Sequence, residues 1–278
     1  MTGHLTATNG GQPITGAALR FSDGTTTTTD GAGWFRVPLA GLALVRLTIT
    51  GPVVTREIGV QLSRDRDVTV DAFVDDGSFD LTYFRQIARG ALDHASLQPL
   101  RRWTQDPMVY LRTIDEEGRP IAPATLQMVR ETVTATAPLF TGGAISLARI
   151  EQGLDTREGQ AGWVTVKWIT AASAYCGRAD VGLSGGTIEL LAYAKPGCTC
   201  NGRTRPRTVR HELGHVLGFW HSGDAADVMY RVGSVCDALP TPRERQYARY
   251  LYARPIGNTD PDTDPAAAVF VAPARAIE

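Results

Sequence analysis

The chain has 278 residues, with 28 Lys plus Arg against 29 Asp plus Glu for a net charge of −1. That length allows one large or two ordinary domains and easily buries a core. Balanced charge, without a basic block or a basic stripe interleaved with aromatics, argues against nucleic acid as a partner. The longest apolar run, Val37 to Val45, holds Pro38 and Gly41 and is too short to span a bilayer. The start, Met1-Thr2-Gly3-His4, has neither a basic opening nor an apolar stretch, so it does not read as a signal peptide.

Residues 1–75 are rich in Gly and Thr and nearly free of helical patterning. Short β-type runs recur at His4–Thr8, Ala17–Phe21, Thr25–Thr29, Gly33–Val37, Ala43–Thr50, Thr55–Gln61 and Asp67–Phe73. Turn residues such as Asn9-Gly10-Gly11, Asp23-Gly24 and Asp30-Gly31 separate them, which predicts a small all-β sandwich. The runs G-Q-P-I-T-G-A-A-L at Gly11–Leu19 and T-T-T-D-G-A-G-W-F-R-V at Thr27–Val37 resemble carboxypeptidase-regulatory-like (transthyretin-like) domains. That resemblance implies an accessory module, and no catalytic cluster falls within it.

Val74-Asp75-Asp76-Gly77-Ser78 reads as a linker to a second domain over residues 76–256. Apolar spacing at Leu81, Phe84, Ile87, Ala88, Ala91 and Leu92 predicts a helix over Phe79–Ser96. Met108–Thr113 reads as a strand, and Pro123 opens a helix that Pro138 is expected to end. Strands are expected at Ile145–Ile150, Trp163–Ile169 and, after Gly185-Gly186, Thr187–Tyr193. A motif helix at Arg207–Phe219 and a last helix at Thr241–Ala253 follow. The tail, residues 257–278, is rich in Pro, Asp and Ala and reads as flexible, with Asp260, Asp262 and Asp264 as a solvated run.

The chemistry concentrates in R-H-E-L-G-H-V-L-G-F-W-H, residues 210–221. His211 and His215 are four residues apart, about 40° around a helix and one turn along, so both imidazoles can bind one metal ion. Glu212 lies beside them, placed to hold a water rather than to ligate. Gly218 can take the left-handed turn that ends the helix, and the returning chain offers His221 as a third ligand. Three neutral imidazoles leave a fourth tetrahedral position open, as in catalytic zinc sites. Zinc lowers the pKa of its bound water to roughly 7, and a carboxylate can then take the proton.

The full H-E-x-x-H-x-x-G-x-x-H run is similar to the metzincin signature, in which a methionine turn follows. Met229 comes eight residues after His221, and H-S-G-D-A-A-D-V-M-Y closely resembles the corresponding run of the matrixins. The resemblance implies an α/β (α+β) catalytic domain with a twisted mixed sheet and an active-site helix, one catalytic Zn2+, and a protein or peptide substrate. Met229 and Tyr230 are then expected to support the metal from beneath. An edge strand that receives the substrate is expected at Gly186, Thr187, Ile188, Glu189 and Leu190. The chain departs from matrixins in three ways. Arg231 stands where they have proline, only His4 and His94 remain for a second zinc, and their calcium loops are not evident, which leaves calcium open.

Cys176, Cys198, Cys200 and Cys236 all fall in the second domain. Cys198 and Cys200 are too close to pair easily with each other, so each is expected to pair outward, one with Cys176 and one with Cys236, in an order the sequence leaves open. Free thiols and a four-thiolate zinc site are the alternatives, although for the zinc site the usual C-x-x-C pairs are missing. Cys176-Gly177-Arg178-Ala179-Asp180-Val181 looks like the matrixin cysteine switch, but inside a catalytic domain a structural cysteine is the expected reading. Paired cysteines imply a secreted protein whose signal has been removed. The combined reading is a zinc-dependent endopeptidase with Glu212 as general base. A catalytically vestigial zinc-binding adhesion or interaction protein is the alternative, and a hydrolase of non-peptide amides a third. The oligomeric state is not legible.

Overall fold

A computed structural model describes residues 2–38, 43–62, 67–170, 175–193, 195–233, 235–266 and 268–270. Part of the apolar run Val37–Val45, the first residue, and residues 271–278 of the expected tail lie outside the described residues. The chain divides into two compact units, residues 1–82 with 253–278, and residues 83–252.

In the first unit all seven expected strands form: β1 (Thr2–Ala7), β2 (Ala18–Phe21), β3 (Thr26–Thr28), β4 (Trp34–Arg36), β5 (Ala43–Thr50), β6 (Arg56–Leu62) and β7 (Val68–Ala72). An eighth, β15 (Val269–Phe270), comes from the C-terminal segment. They make one sheet in the order β4-β1-β7 and another in the order β15-β6-β5-β2-β3. Alternation decides which face is inward: β2 reads exposed, buried, exposed, buried, and β7 buries Val68, Val70 and Ala72. Leu5, Phe35 and Val70 of the first sheet share one apolar cluster with Leu19, Phe21, Leu47, Ile49 and Val60 of the second. Burial of that surface, at about 25 cal/mol per Å², is the main source of the unit's stability.

The C-terminal segment differs from its reading as a solvated acidic run. Asp262 is fully buried and accepts hydrogen bonds from Arg254 Nε at 2.8 Å, Arg56 Nη1 at 2.9 Å and Asn258 Nδ2 at 2.9 Å. Its backbone joins β6 through Glu57, whose N–H donates to Asp262 O at 3.0 Å. Burial alone would raise the Asp262 carboxyl, and the Arg254 and Arg56 guanidiniums outweigh it, so the pKa is lowered. Composition signalled solvation here because the partner cations lie about 200 residues away in sequence or across a turn.

The second unit is a mixed α/β body. Its sheet runs β11-β12-β10-β8-β9, built from β8 (Met108–Arg112), β9 (Arg149–Gly153), β10 (Trp163–Ile169), β11 (Gly177–Ala179) and β12 (Gly186–Leu191). β9, β8, β10 and β12 are mutually parallel, and β11 is antiparallel to β12. A two-residue ladder, β13 (Thr199–Cys200) with β14 (Arg203–Thr204), precedes the motif helix. The helices are α1 (Leu81–Arg89), α2 (Pro123–Thr141), α3 (Pro206–Val216) and α4 (Pro242–Tyr252). α3 packs on α2 and against β11 and β12.

Three expectations change. α1 stops at Arg89 because Gly90 adopts φ 65°, which ends the helix well before Ser96 and leaves residues 90–96 outside it. α2 runs through Pro138 to Thr141 and ends at Gly142, φ 64°. The proline removes one helical hydrogen bond, but Ala137 and Phe140 on either side of it are fully buried, and that packing carries the helix on to the glycine. The expected edge strand Gly186–Leu190 is not an edge: β12 pairs with β10 on one side and β11 on the other, and all six of its residues are buried. Among the described residues, no helix is long and apolar enough to cross a membrane.

Candidate metal centre

α3 places the first two ligands. Pro206 at the helix start needs no hydrogen-bonded N–H, and the helix is buried on all sides from Arg207 to Val216, with His211 and His215 one turn apart on one face. His211 and His215 therefore project side by side, with their Nε2 atoms 3.1 Å apart. Beyond Val216 the chain reverses at Gly218, φ 108°. A Cβ there would fall on the carbonyl of Arg101, so glycine is required by conformation and by space. The reversal delivers His221, and ligand atoms of all three histidines lie within 4.8 Å of one another.

Each imidazole is held from behind. His211 Nδ1 meets Val228 O at 2.7 Å, and His215 Nδ1 meets Phe219 O at 2.8 Å. His221 Nδ1 faces Asp93 Oδ1 at 2.6 Å, and Arg231 Nε more distantly at 3.3 Å. Carbonyl and carboxylate oxygens only accept, so each Nδ1 carries the hydrogen and each Nε2 presents a lone pair. Two bare Nε2 acceptors at 3.1 Å repel unless they share a cation. Two nitrogens bound to one tetrahedral zinc lie about 3.3 Å apart, so the donor set fits such an ion. Burial and the neighbouring imidazoles lower His211 well below the usual range. They bring His215 down to about 4, so both rings are neutral at pH 7.

Glu212 is also buried, and burial raises its carboxyl to about 8; Arg207 opposes this and Glu189 adds to it. It lines a cavity of about 570 Å³ together with His211, His215 and His221. β11 lies directly against it. Gly177 comes so close that a Cβ there would sit 2.7 Å from Glu212 Oε1. Cys176, just before β11, is bonded to Cys198, and Cys200 to Cys236, which resolves the pairing left open by the sequence. Cys176 is therefore no thiolate for a metal, and among the described residues no cysteine is free.

Beneath the histidines, Met229 is fully buried against Gly214, the helix residue that precedes His215. Glu244 accepts the backbone N–H groups of Val228 at 3.0 Å and Met229 at 2.8 Å. Tyr230 contributes its carbonyl, which accepts from Arg207 Nη2 at 2.7 Å. Gly186, Thr187, Ile188, Glu189 and Leu190 lie within the sheet rather than along the cavity, and the strand that lines it is Gly177–Ala179. Sequence reasoning missed Asp93, which touches His221, and the cavity-lining Arg205 and Arg207. None of the three lies within the motif itself, although Arg207 stands one helical turn before His211.

No protein-family model matches the chain, and no curated protein matches it. Among solved structures, metalloproteinase-II from Bacteroides fragilis is similar at a TM-score of 0.36 and 9% identity, over 90% of this chain and 84% of that one. A likeness at that level is too slight to assign fold or chemistry.

Proposed function

We propose that the chain is a zinc-dependent endopeptidase of the metzincin type, matrixin-like in its H-E-x-x-H-x-x-G-x-x-H and methionine-turn segments. The observation that carries this reading is the convergence of three buried or half-buried imidazoles whose Nδ1 atoms are all committed to acceptors. His211, His215 and His221 would hold the ion. When bound, it would supply Lewis acidity and a water acidified toward neutral pH. Glu212 would hold a water proton at a carboxylate oxygen and pass it to the leaving amine nitrogen. Burial makes this carboxylate a stronger base than an exposed one, with an affinity for protons suited to neutral pH.

An extended peptide is supported by the strand beside Glu212. β11 pairs only with β12 among the described residues, so its outer edge offers backbone donors and acceptors for an added strand. The two disulfides favour an oxidising, extracellular setting. The first unit, with two sheets sharing one core, is read as a β-sandwich accessory module of the carboxypeptidase-regulatory-like kind.

The test is digestion of an unfolded protein by the zinc-loaded chain. We expect fragments, their loss with a chelator, and their loss in Glu212→Gln with one zinc per chain retained. A protein that binds no zinc, or a Glu212→Gln variant that cleaves as fast as wild type, overturns the reading. Zinc bound at the triad without cleavage of any peptide would leave the vestigial alternative.

A further inference from the structure

Four arginines line the cavity: Arg178, Arg205, Arg207 and Arg231. Two have carboxylate partners, since Arg178 pairs with Glu189 at 2.9 Å and Arg231 pairs with Asp93. The other two do not. Arg207 is only 7% exposed, yet among the described residues it forms no ion pair. Its side-chain hydrogen bonds all leave from Nη2, to the carbonyls of Asp227 (3.4 Å), Val228 (3.1 Å) and Tyr230 (2.7 Å). Among the described residues, Nε and Nη1 have no acceptor. Arg205, half-buried, donates from Nη1 to Gly233 O at 2.7 Å and from Nε to Thr199 O at 3.4 Å, again to carbonyls alone.

Two guanidiniums that line one cavity without an ion pair among the described residues are costly to bury. Burial lowers the Arg207 pKa; the Glu244 carboxyl opposes this, Arg205 lowers it further, and Glu212 opposes it more weakly. A clamp on three carbonyls needs donors but not charge, so holding the 227–230 segment does not account for the pair. Gly233 packs directly against this guanidinium, where a Cβ would fall on Cζ, Nε and Nη1 of Arg207. Nε and Nη1 point to different sides of the guanidinium, so each can give a single charge-assisted hydrogen bond to a carboxylate oxygen. Arg207 stands one turn of α3 before His211, on the wall that also carries Glu212.

We propose that Arg205 and Arg207 form a carboxylate-binding subsite in the cleft, which directs cleavage to peptide bonds beside an acidic side chain or beside a chain-terminal carboxylate. The subsite rests on the peptidase reading of the same cavity and extends it to a substrate class. Both sources present the same anion to the two guanidiniums. A blocked-end peptide separates them, because it retains only the side chain.

The experiment uses the zinc-loaded chain and one peptide scaffold with blocked ends, carrying Glu, Gln, Leu or Lys in turn on each side of the cleaved bond. A further Gln peptide has a free C-terminal carboxylate beside that bond. We expect kcat/KM for the Glu peptide, or for the free-carboxylate peptide, to exceed the blocked Gln peptide at least about tenfold, equivalent to about 1.4 kcal/mol. The ratio should shrink as salt screens the charges. It should also fall toward one in Arg205→Gln, the less buried of the two and so the safer variant. Equal turnover of the blocked Glu, Gln and Leu peptides, with no gain from a free carboxylate, overturns the proposal. If no peptide is cleaved, the peptidase reading fails first. Calorimetric binding of the same peptides to zinc-loaded Glu212→Gln then decides the subsite, where equal affinity for the Glu and Gln peptides and no gain from the free carboxylate rule it out.

Discussion

The carboxylate of Asp93 lies 2.6 Å from Nδ1 of His221, a contact between residues 128 positions apart in the chain. Asp93 also accepts the His221 backbone N–H at 3.2 Å and pairs with Arg231. Burial works against its negative charge, but the His221 and Arg231 contacts prevail and hold the carboxyl well below its usual range. It is therefore ionised at neutral pH. Such a partner fixes the ring and raises ligand basicity. Asp93→Ala should weaken zinc binding about 10- to 100-fold, measured by competition against a chelator of known affinity. Unchanged affinity would show that the His221 ring needs no orienting partner.

A proton balance follows from Glu212. Its pKa is raised from 4.5 to about 8 in the metal-free protein, so it holds a proton at pH 7. His211 and His215 are depressed and already neutral there. A cation at the triad favours the Glu212 carboxylate, so zinc binding at pH 7 should release about one proton, and affinity should rise with pH up to about 8. Calorimetry in buffers of different ionisation enthalpy reads the number, and Glu212→Gln should release about one fewer. In the metal-free protein the sign for folding is opposite to that of a salt-bridged carboxylate. Stability from this group falls as pH rises from about 4.5 toward 8, because the folded form is the one that retains the proton.

Gly218→Ala tests the turn that delivers His221. The backbone sits at φ 108°, and the new methyl would meet the Arg101 carbonyl. Strain of about 1–3 kcal/mol is expected, and the third ligand should move with the turn. Lower thermal stability together with weaker zinc binding is the expected pair of results. A variant with wild-type zinc affinity would mean that His221 reaches its position by another path.

Arg254→Met addresses the first unit. Arg254 is fully buried, and burial works against its charge, but Asp262 and Asp71, at 2.8 and 2.7 Å, more than restore it. Removal of one partner from a buried ionic cluster leaves the others uncompensated and costs about 3–5 kcal/mol. Denaturant unfolding should show that loss in the first unit's transition. Little change would mean that residues 253–264 contribute nothing to its stability.

Local signals in the chain were enough for the seven N-terminal strands, because alternation and turn glycines are short-range patterns, and for the three histidines, because helical pitch and a glycine turn act within eleven residues. Some outcomes lay open in the sequence and were decided only by the fold. The disulfide order depended on where β11 and β13 came to rest. The cleft wall proved to be Gly177–Ala179, since β12 was already paired on both edges. Asp93, Arg56 and Arg254 acquired their partners through contacts that no local pattern encodes. The physical division is one of range: periodicity and backbone preference act between neighbours, whereas burial of charge and closure of a cavity exist only once distant segments have been packed together.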